Sequence, residues 1–397
     1  MGHIVPLYTI YVKEMKAMSL MTKTGLYIHV PFCSSKCNYC DFNSYAGKLN
    51  YTKEYFSSMA KEIELYHDEL GYNLIDTIFI GGGTPSCVDQ KYISDILTTC
   101  RANFNITEDC EISIESNPGT LDLEKLKAYK RNGINRISIG LQAYQTNLLK
   151  YLGRRHSPND FISSIELSKK AGFININADV IFGIPGQTME DWIETLKVLV
   201  DLEITHISAY SLKIEEGTKF GEMLENGELT QMDDELDRDM YHYAIEYLKQ
   251  NGFNQYELSN FAKEGYECKH NLTYWKCVDY LGLGAGAHSF LSDIRFANEY
   301  SIDGYIKYLE KGEKPVEERC VVDFYDKISE FMFLGLRLTQ GVSSSEFQDL
   351  FNQDMFIKYE DSFKELQKNK LVEIDGENVK LTSLGLDLAN QVFIKFV

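Results

Sequence analysis

The sequence predicts an α/β fold built around a parallel β-sheet and followed by a smaller C-terminal domain. Between about Gly25 and Asn298, apolar runs typical of buried strands alternate with stretches of helical periodicity. Such alternation is typical of parallel strands joined by right-handed crossover helices. After about Asp323 the alternation stops, and short helices precede two short strand-like runs. Six strand–helix units could form either an open sheet or an incomplete barrel.

The individual elements follow from local patterns. Strands are expected at 26–30, 76–80, 110–115, 136–140, 175–181 and 206–210. Helices are expected at 52–71, 91–103, 123–133, 161–172, 189–202 and 233–252, where apolar residues recur at helical spacing. Because ligands of α/β proteins bind at the carboxyl ends of parallel strands, we expect functional residues there.

Composition excludes several classes of function. The 397 residues include 40 Lys and Arg against 59 Asp and Glu, a formal net charge of −19. This acidity argues against binding of nucleic acid, including radical modification of RNA, because phosphate contacts need basic side chains. Nine cysteines without regular pairing indicate a reducing compartment. No apolar run is long enough to form a transmembrane segment, so we expect a cytoplasmic protein.

The stretch from Gly25 to Phe42 carries the strongest chemical signal. Cys33, Cys37 and Cys40 follow the first expected strand in a C-x₃-C-x₂-C spacing. Three is an odd number for disulfides, whereas a zinc ion or an iron–sulfur cluster could both take these thiolates. Three cysteines on a 4Fe-4S cluster would leave one iron open to a substrate or cofactor.

This stretch resembles the signature of the radical S-adenosylmethionine (SAM) family, in which an aromatic residue, here Tyr39, precedes the third cysteine. The sequences Tyr27-Ile-His-Val-Pro-Phe-Cys33 and Cys40-Asp-Phe42 are similar to one branch, which contains oxygen-independent coproporphyrinogen III oxidases and related heme chaperones. The resemblance implies that the three cysteines hold a 4Fe-4S cluster whose open iron binds SAM. It also implies a partial (β/α)₆ TIM-like barrel with a small winged-helix-like C-terminal domain.

Candidate SAM-binding residues lie at the predicted strand ends. Glycines in Gly81-Gly-Gly-Thr-Pro85 let a backbone approach a ligand closely, and the resemblance implies that this stretch binds the SAM amino group. Glu115 could accept hydrogen bonds from ribose hydroxyls, and Arg154 could pair with a carboxylate. We assign no catalytic side chain. The full set implied for SAM is Tyr27, Tyr39, Gly82, Gly83, Thr84, Glu115, Gln142, Arg154 and Asp179.

A later motif bears on which branch the chain resembles. His270-Asn271-Leu-Thr-Tyr274-Trp275 resembles the H-N-x-x-Y-W motif of the chaperone branch, whose histidine is a suspected heme contact. From the residues alone, His270 could equally be a core histidine beside two packed aromatic side chains. The oxidases carry a further cysteine where this chain has Phe42, and a longer N-terminal region than precedes Gly25.

These departures favour a chaperone that binds heme and delivers it to a heme-dependent respiratory protein. Whether that acceptor lies at the membrane, with the chaperone held peripherally beside it, is left open. The alternative is radical decarboxylation of the propionates of coproporphyrinogen III to give protoporphyrinogen IX, so enzymatic activity is also left open.

The resemblance covers nearly the whole chain after Met21. We expect a disordered N-terminal extension at 1–23, the barrel at 24–300, a linker at 301–322 and the C-terminal domain at 323–397. In that domain a two-stranded wing should turn at Asp375-Gly376, and a closing helix should begin at Ser383. A winged helix often binds DNA, but the acidity of this one favours a cap over the barrel.

Overall fold

The computed structural model describes residues 22–397, and its main feature is a mixed sheet of twelve strands. The extension predicted at 1–23 lies outside the described residues except for its last two. The strands in chain order are β1 (Lys23–Val30), β2 (Phe32–Cys33), β3 (Tyr45–Ala46), β4 (Leu74–Gly82), β5 (Asn105–Ser116), β6 (Arg136–Gln142), β7 (Asn175–Phe182), β8 (His206–Ser211), β9 (Asn254–Glu257), β10 (Asn260–Ala262), β11 (Tyr280–Leu283), β12 (His288–Leu291), β13 (Ile294–Asn298), β14 (Val316–Val321), β15 (Val342–Ser343), β16 (Val372–Asp375) and β17 (Asn378–Leu381).

All six predicted strands lie side by side in parallel, in the order β1, β4, β5, β6, β7, β8. The short strand β11 adds a seventh parallel strand beside β1. Sequence reasoning missed it, because it is only four residues long and runs directly into a glycine-rich stretch. The outermost strands of the sheet, β14 and β9, do not pair with each other among the described residues. The prediction of a partial barrel is therefore confirmed.

Helices cross between the parallel strands and bury one apolar face against the sheet, as at Leu126 and Trp192. The helices in chain order are α1 (Thr52–Leu65), α2 (His67–Leu70), α3 (Gln90–Asn103), α4 (Leu123–Arg131), α5 (Thr146–Tyr151), α6 (Pro158–Lys170), α7 (Met189–Asp201), α8 (Lys219–Glu225), α9 (Asp234–Gln250), α10 (Lys269–Trp275), α11 (Ile302–Glu310), α12 (Phe324–Gly335), α13 (Ser344–Phe351), α14 (Met355–Lys358), α15 (Glu360–Lys368), α16 (Ser383–Asp387) and α17 (Ala389–Phe393).

Two helices differ from the sequence prediction for local reasons. The helix expected at 52–71 is divided at Tyr66, which ends α1 with a φ of −99° and a ψ of 0° and separates it from α2. Helix α6 begins three residues before the predicted start, at Pro158. Its N-terminus is fixed by Ser157, whose hydroxyl accepts a hydrogen bond from the backbone of Asp160, and proline is favourable in a first turn.

Successive residues of the parallel strands fall on opposite faces of the sheet. On β1, Leu26, Ile28 and Val30 join the main hydrophobic core. The intervening Tyr27 and His29 instead contact aromatic and polar groups inside the partial barrel. This alternation gives the barrel an interior of stacked side-chain layers beneath the carboxyl ends of its strands.

The predicted linker at 301–322 instead forms helix α11 and strand β14. Strand β14 pairs with β13 and forms one edge of the large sheet. Ile302, Tyr305 and Leu309 are all buried, because their spacing places them on one face of α11. This stretch is therefore part of the barrel domain's packing.

The C-terminal domain has its own hydrophobic core and a three-stranded sheet in the order β15, β17, β16. The predicted wing is present as the hairpin of β16 and β17, which turns at residues 376–377, one residue later than predicted. A bidentate ion pair between Arg295 on β13 and Glu330 on α12 joins the domain to the sheet, with N–O distances of 2.8 and 3.1 Å. No helix within residues 22–397 combines the length and apolarity needed to cross a bilayer.

A buried carboxylate holds the wall of the barrel together. Glu62 on α1 accepts hydrogen bonds from the backbone of Gly284 (2.9 Å), the amide of Asn298 (2.6 Å) and the hydroxyl of Tyr305 (2.6 Å). Burial raises the pKa of Glu62 to about 7, because the charged form loses its hydration. One side chain thus links α1 to β11, β13 and α11.

We predict that Glu62 makes stability fall as the pH rises from about 4.5 to about 7. Its pKa is higher in the folded than in the unfolded state, so the folded state binds the proton more readily and loses that advantage as the group ionises. Relative to Glu62→Gln, the wild-type free energy of unfolding should fall by up to about 3 kcal/mol across this window. Urea unfolding at a series of pH values measures it. The exposed Glu64→Gln on the same helix is the control, and parallel pH profiles for wild type and Glu62→Gln would contradict the prediction.

Candidate functional site

A cavity of about 320 Å³ opens at the carboxyl ends of the parallel strands. Most of the residues predicted from the sequence line it together, although they come from six separate segments of the chain. These residues are Cys33, Cys37, Tyr39, Cys40, Gly82, Gly83, Thr84, Glu115, Gln142, Arg154 and Asp179. The structure does not place the remaining two, Tyr27 and His270, in the cavity wall.

Cys33 ends β2, and Cys37 and Cys40 lie in the loop between β2 and β3. Cys33 is buried and Cys37 and Cys40 are half-buried, and none forms a disulfide. Burial raises the pKa of the Cys33 and Cys40 thiols. Within residues 22–397, no three histidine, cysteine or acidic side chains come close enough to hold a single metal ion. A 4Fe-4S cluster allows its ligands to lie farther apart, because each thiolate binds a different iron. Three free thiols on one wall of the cavity therefore fit such a cluster.

Arg154 holds the cysteine loop against the strand ends. Its guanidinium donates to the Asn117 side chain (2.6 Å) and the Gly140 carbonyl (2.9 Å), and it lies 3.5 Å from the Cys37 sulfur. Asn38 strengthens this attachment, because its backbone and side-chain nitrogens both donate to carbonyls that end α5. A rigid planar donor thus ties the loop to β5 and β6.

The glycine stretch after β4 packs against the start of the cysteine loop. Gly82 adopts a φ of 107°, and a Cβ there would collide with the imidazole of His29. A Cβ on Gly83 would lie 2.7 Å from the Phe32 carbonyl oxygen. Thr84 then places its hydroxyl 3.5 Å from the Cys33 sulfur, where it also accepts a hydrogen bond from Asn117. The glycines are therefore required for the strand end and the cysteine loop to meet.

Two carboxylates face the cavity from β5 and β7, the two strands that flank β6. Glu115 accepts a hydrogen bond from the backbone of Gly82 (3.1 Å), while Asp179 accepts one from the Asn177 amide (2.9 Å) and another from Ser138. Burial, aided by the Asp179 carboxylate, raises the pKa of Glu115 to about 8. Acceptors of this kind suit a ligand that presents hydroxyl or amino groups.

The end of β6 is strained at the cavity. Gln142 has a φ of 69°, in the left-handed region that side-chain-bearing residues rarely adopt, and the β6–β7 register shifts beside it. Such strain costs on the order of 1–3 kcal/mol and is concentrated at functional sites. It turns the Gln142 side chain into the cavity wall.

Sequence reasoning missed part of the wall and all of the rim. Asn117 belongs to the same strand end as Glu115, so its position was the available signal. Phe42 and Tyr210 line the mouth with 63% and 41% of their surface exposed. Lys36 and Lys213 lie on the same rim. From the sequence, Phe42 was noted only for the cysteine that it replaces. Tyr210, Lys36 and Lys213 carry no local motif, and only the fold brings them to this rim.

The histidine predicted as a heme contact lies inside the barrel, away from the cavity. His270 is buried, with Nδ1 3.0 Å from the Thr77 hydroxyl and Nε2 2.8 Å from the Tyr274 hydroxyl. Burial lowers its pKa to about 3. Since both ring nitrogens are engaged, the imidazole could bind iron only after rearrangement. Tyr27 is likewise hydrogen-bonded within the interior, at 3.0 Å from His29 Nδ1.

The comparisons with known proteins agree with this arrangement. A family model described as the radical SAM superfamily matches residues 27–199, and one described as the HemN C-terminal domain matches residues 325–388. The chain is 36% identical to the heme chaperone HemW of Bacillus subtilis (strain 168), over 94% of this chain and 98% of that protein. This chain belongs to the HemW family of radical SAM proteins. Membership of the radical SAM superfamily implies a 4Fe-4S cluster and SAM as cofactors.

A second HemW relative, from Lactococcus lactis, is also 36% identical, over 95% of this chain and 98% of its own length. Among solved structures, the coproporphyrinogen III oxidase HemN from Escherichia coli superposes with a TM-score of 0.84. The match covers 100% of this chain and 93% of that structure, at 21% sequence identity. It shows that HemW family members and this oxidase share a fold.

We predict that Arg154→Lys weakens retention of the cluster. Lysine keeps the positive charge but cannot donate simultaneously to Asn117 and Gly140 and still approach Cys37. Loss of an outer contact to a metal ligand should lower cluster affinity by about ten-fold or more. The measurement is iron per chain after anaerobic reconstitution and dialysis against a chelator. The neighbouring, exposed Arg155→Lys is the matched control, and equal iron retention by the two variants would contradict this role.

Proposed function

We propose that this protein is a radical SAM heme chaperone, which binds a 4Fe-4S cluster, SAM and heme and delivers heme to a heme-dependent respiratory protein. The observation that carries the proposal is the cavity at the strand ends, where three free cysteines face a glycine stretch and two carboxylates. Relatives named heme chaperone HemW, matched over nearly their whole length, support the chaperone role rather than an enzymatic one.

Each group in the cavity has a role in this proposal. Cys33, Cys37 and Cys40 would hold the cluster, which when bound would supply a site for SAM beside them. The residues 82–84 form the backbone surface against which the SAM amino group lies. Glu115 accepts from the ribose hydroxyls, while Asp179 and Gln142 complete the polar wall. Tyr39 closes the cavity beside Arg154.

The rim supplies a surface suited to heme. Phe42 and Tyr210 offer exposed aromatic faces to a flat, apolar ring, and Lys36 and Lys213 offer positive charge to its propionates. The nearby acidic Glu215 pairs with Lys213, whose own side chain is 82% exposed, so Lys213 can exchange this partner for another at little cost. The rim thus favours heme docking at the mouth, outside the polar interior that suits SAM.

The second candidate function is oxidative decarboxylation of coproporphyrinogen III. It is favoured by the complete cavity and by the fold shared with the oxidase HemN. Phe42 distinguishes the two candidates, because it stands on the rim where the resemblance places a further cysteine in the oxidases. An exposed phenyl ring can stack on a porphyrin but cannot bind a metal or donate a thiol hydrogen.

We predict that the fully reconstituted protein does not decarboxylate coproporphyrinogen III. The assay is anaerobic and contains SAM and a reductant, and product is detected by its porphyrin absorbance after oxidation. The same preparation should bind heme in a spectroscopic titration and release it to an apo-form of a respiratory heme protein, with or without membranes. Sustained turnover would establish the oxidase function instead, and a full cluster with neither turnover nor heme binding would exclude both candidates.

We also predict that Cys33→Ala abolishes the cluster absorbance, since it removes one of three thiolates. Cys87→Ala is the control, because Cys87 is a half-buried cysteine whose sulfur donates to the Phe32 carbonyl outside the cavity wall. Iron content and absorbance are measured after parallel reconstitution. A cluster of unchanged iron content in Cys33→Ala would refute the ligand assignment.

A further inference from the structure

Tyr27 and His270, the two predicted site residues outside the cavity, belong to one stack of rings along the barrel interior. We call the rings of His270, Phe79, Tyr27 and His29 the aromatic column. The His270 and Phe79 ring centroids are 5.3 Å apart at an interplanar angle of 25°. Phe79 and Tyr27 are 6.4 Å apart at the same angle, and Tyr27 and His29 follow at 5.9 Å. The strand register explains this order, since Tyr27 on β1 is paired with Phe79 on β4.

The lower end of the aromatic column is fixed by helix α10. Glu111 on β5 accepts hydrogen bonds from the backbone nitrogens of Lys269 and His270, both at 3.2 Å, at the N-terminus of this helix. Gly25 leaves room for the His270 ring, because a Cβ there would lie 3.2 Å from its Cε1 atom. The helix therefore closes the amino-terminal end of the barrel and inserts His270 into its lowest side-chain layer.

The other end of α10 contacts the C-terminal domain. On the barrel side, Tyr274 packs edge-on against Tyr280 of β11, with ring centroids 4.7 Å apart. The Arg337 guanidinium, which follows α12, lies 4.3 Å over the Trp275 ring. The same short helix thus touches the C-terminal domain with one residue and the aromatic column with another.

The upper end of the aromatic column touches both parts of the SAM site. The His29 Nε2 donates to the Asn43 carbonyl oxygen at 2.8 Å, three residues after Cys40. Its Nδ1 can then accept a hydrogen bond from the Tyr27 hydroxyl. Burial keeps the imidazole neutral, because it lowers the pKa of His29 to about 4. The same ring fills the space beside Gly82. Any shift of the column must therefore move the glycine stretch or the end of the cysteine loop.

We infer that His270 is a positioning residue, which acts through Phe79, Tyr27 and His29 to set the geometry of the SAM site and couples it to the C-terminal domain. The inference rests on the SAM-binding part of the proposed function, and it assigns no heme contact to His270. Close-packed interiors transmit displacement because they have few voids to absorb it. The H-N-x-x-Y-W motif at 270–275 then connects the barrel interior to the C-terminal domain.

The test compares His270→Ala with His270→Phe in the reconstituted protein. His270→Ala removes the ring and should weaken SAM binding by about five-fold or more, whereas His270→Phe keeps the stack and should restore most of the affinity. SAM affinity is read from the change in the EPR spectrum of the reduced cluster, at matched iron content. Heme affinity, measured in parallel, should be unchanged in both variants.

Two further variants keep the inference open to refutation. Phe79→Leu keeps an apolar side chain but interrupts the aromatic column, so it should lower SAM affinity even where His270→Ala fails to fold. Leu126→Ala, in a fully buried position on α4, controls for general loss of stability and should leave SAM affinity unchanged. Selective loss of heme affinity in His270→Ala, with a normal SAM response, would overturn the inference. Absence of any SAM response in the wild type would instead contradict the proposed function.

Discussion

The interior of the barrel depends on close contact between glycines and rings. Gly25 faces His270, and Gly82 faces His29, at positions where a Cβ would press against an imidazole. Between them, a Cβ on Gly81 would lie 3.0 Å from the Phe79 ring and 2.9 Å from a Glu115 oxygen. These three positions let the aromatic column rise beside β1 and β4 without pushing the strands apart. The strand ends that form the cavity can meet only because the layers below them are this tightly filled.

Three buried carboxylates, Glu62, Glu111 and Glu115, have different roles in this interior. Glu111 accepts backbone hydrogen bonds at the start of α10, so its charge faces the positive end of a helix dipole. Glu62 binds three donors in the barrel wall, and Glu115 faces the cavity with a single backbone donor. The carboxylate with the fewest protein donors is therefore the one left available to a ligand. The number of protein donors around each carboxylate, rather than its charge alone, distinguishes the structural carboxylates from the candidate binding carboxylate.

The sequence was sufficient for the six parallel strands β1 and β4–β8 and for most of the cavity, because those signals are local. The cysteine spacing lies within one loop, and buried parallel strands bring their carboxyl ends to one edge in any α/β sheet. The position of His270 is different, since it is set by Glu111 and Thr77, which lie far away in the sequence. Residues 301–322 were misjudged for a similar reason, because β14 gains its partner only from the hairpin that precedes it. Long-range contacts therefore decided the position of His270 and the pairing of β14, whereas the apolar spacing of α11 was a local signal that the prediction of a linker overlooked.

The hydrogen bonds of His270 add an attachment that ring stacking alone does not give. A phenyl ring could stack on Phe79, but it could not bind the Thr77 hydroxyl on one side and the Tyr274 hydroxyl on the other. Histidine supplies a flat ring and two polar atoms at opposite edges, so it tethers the column both to β4 and along α10. Ligation of heme iron would require one of those atoms to be released inside a dry interior, at the cost of an unpaired buried hydroxyl. The same two features that make histidine a common metal ligand are therefore already used, in this fold, to tether the aromatic column to α10, the helix that contacts the C-terminal domain.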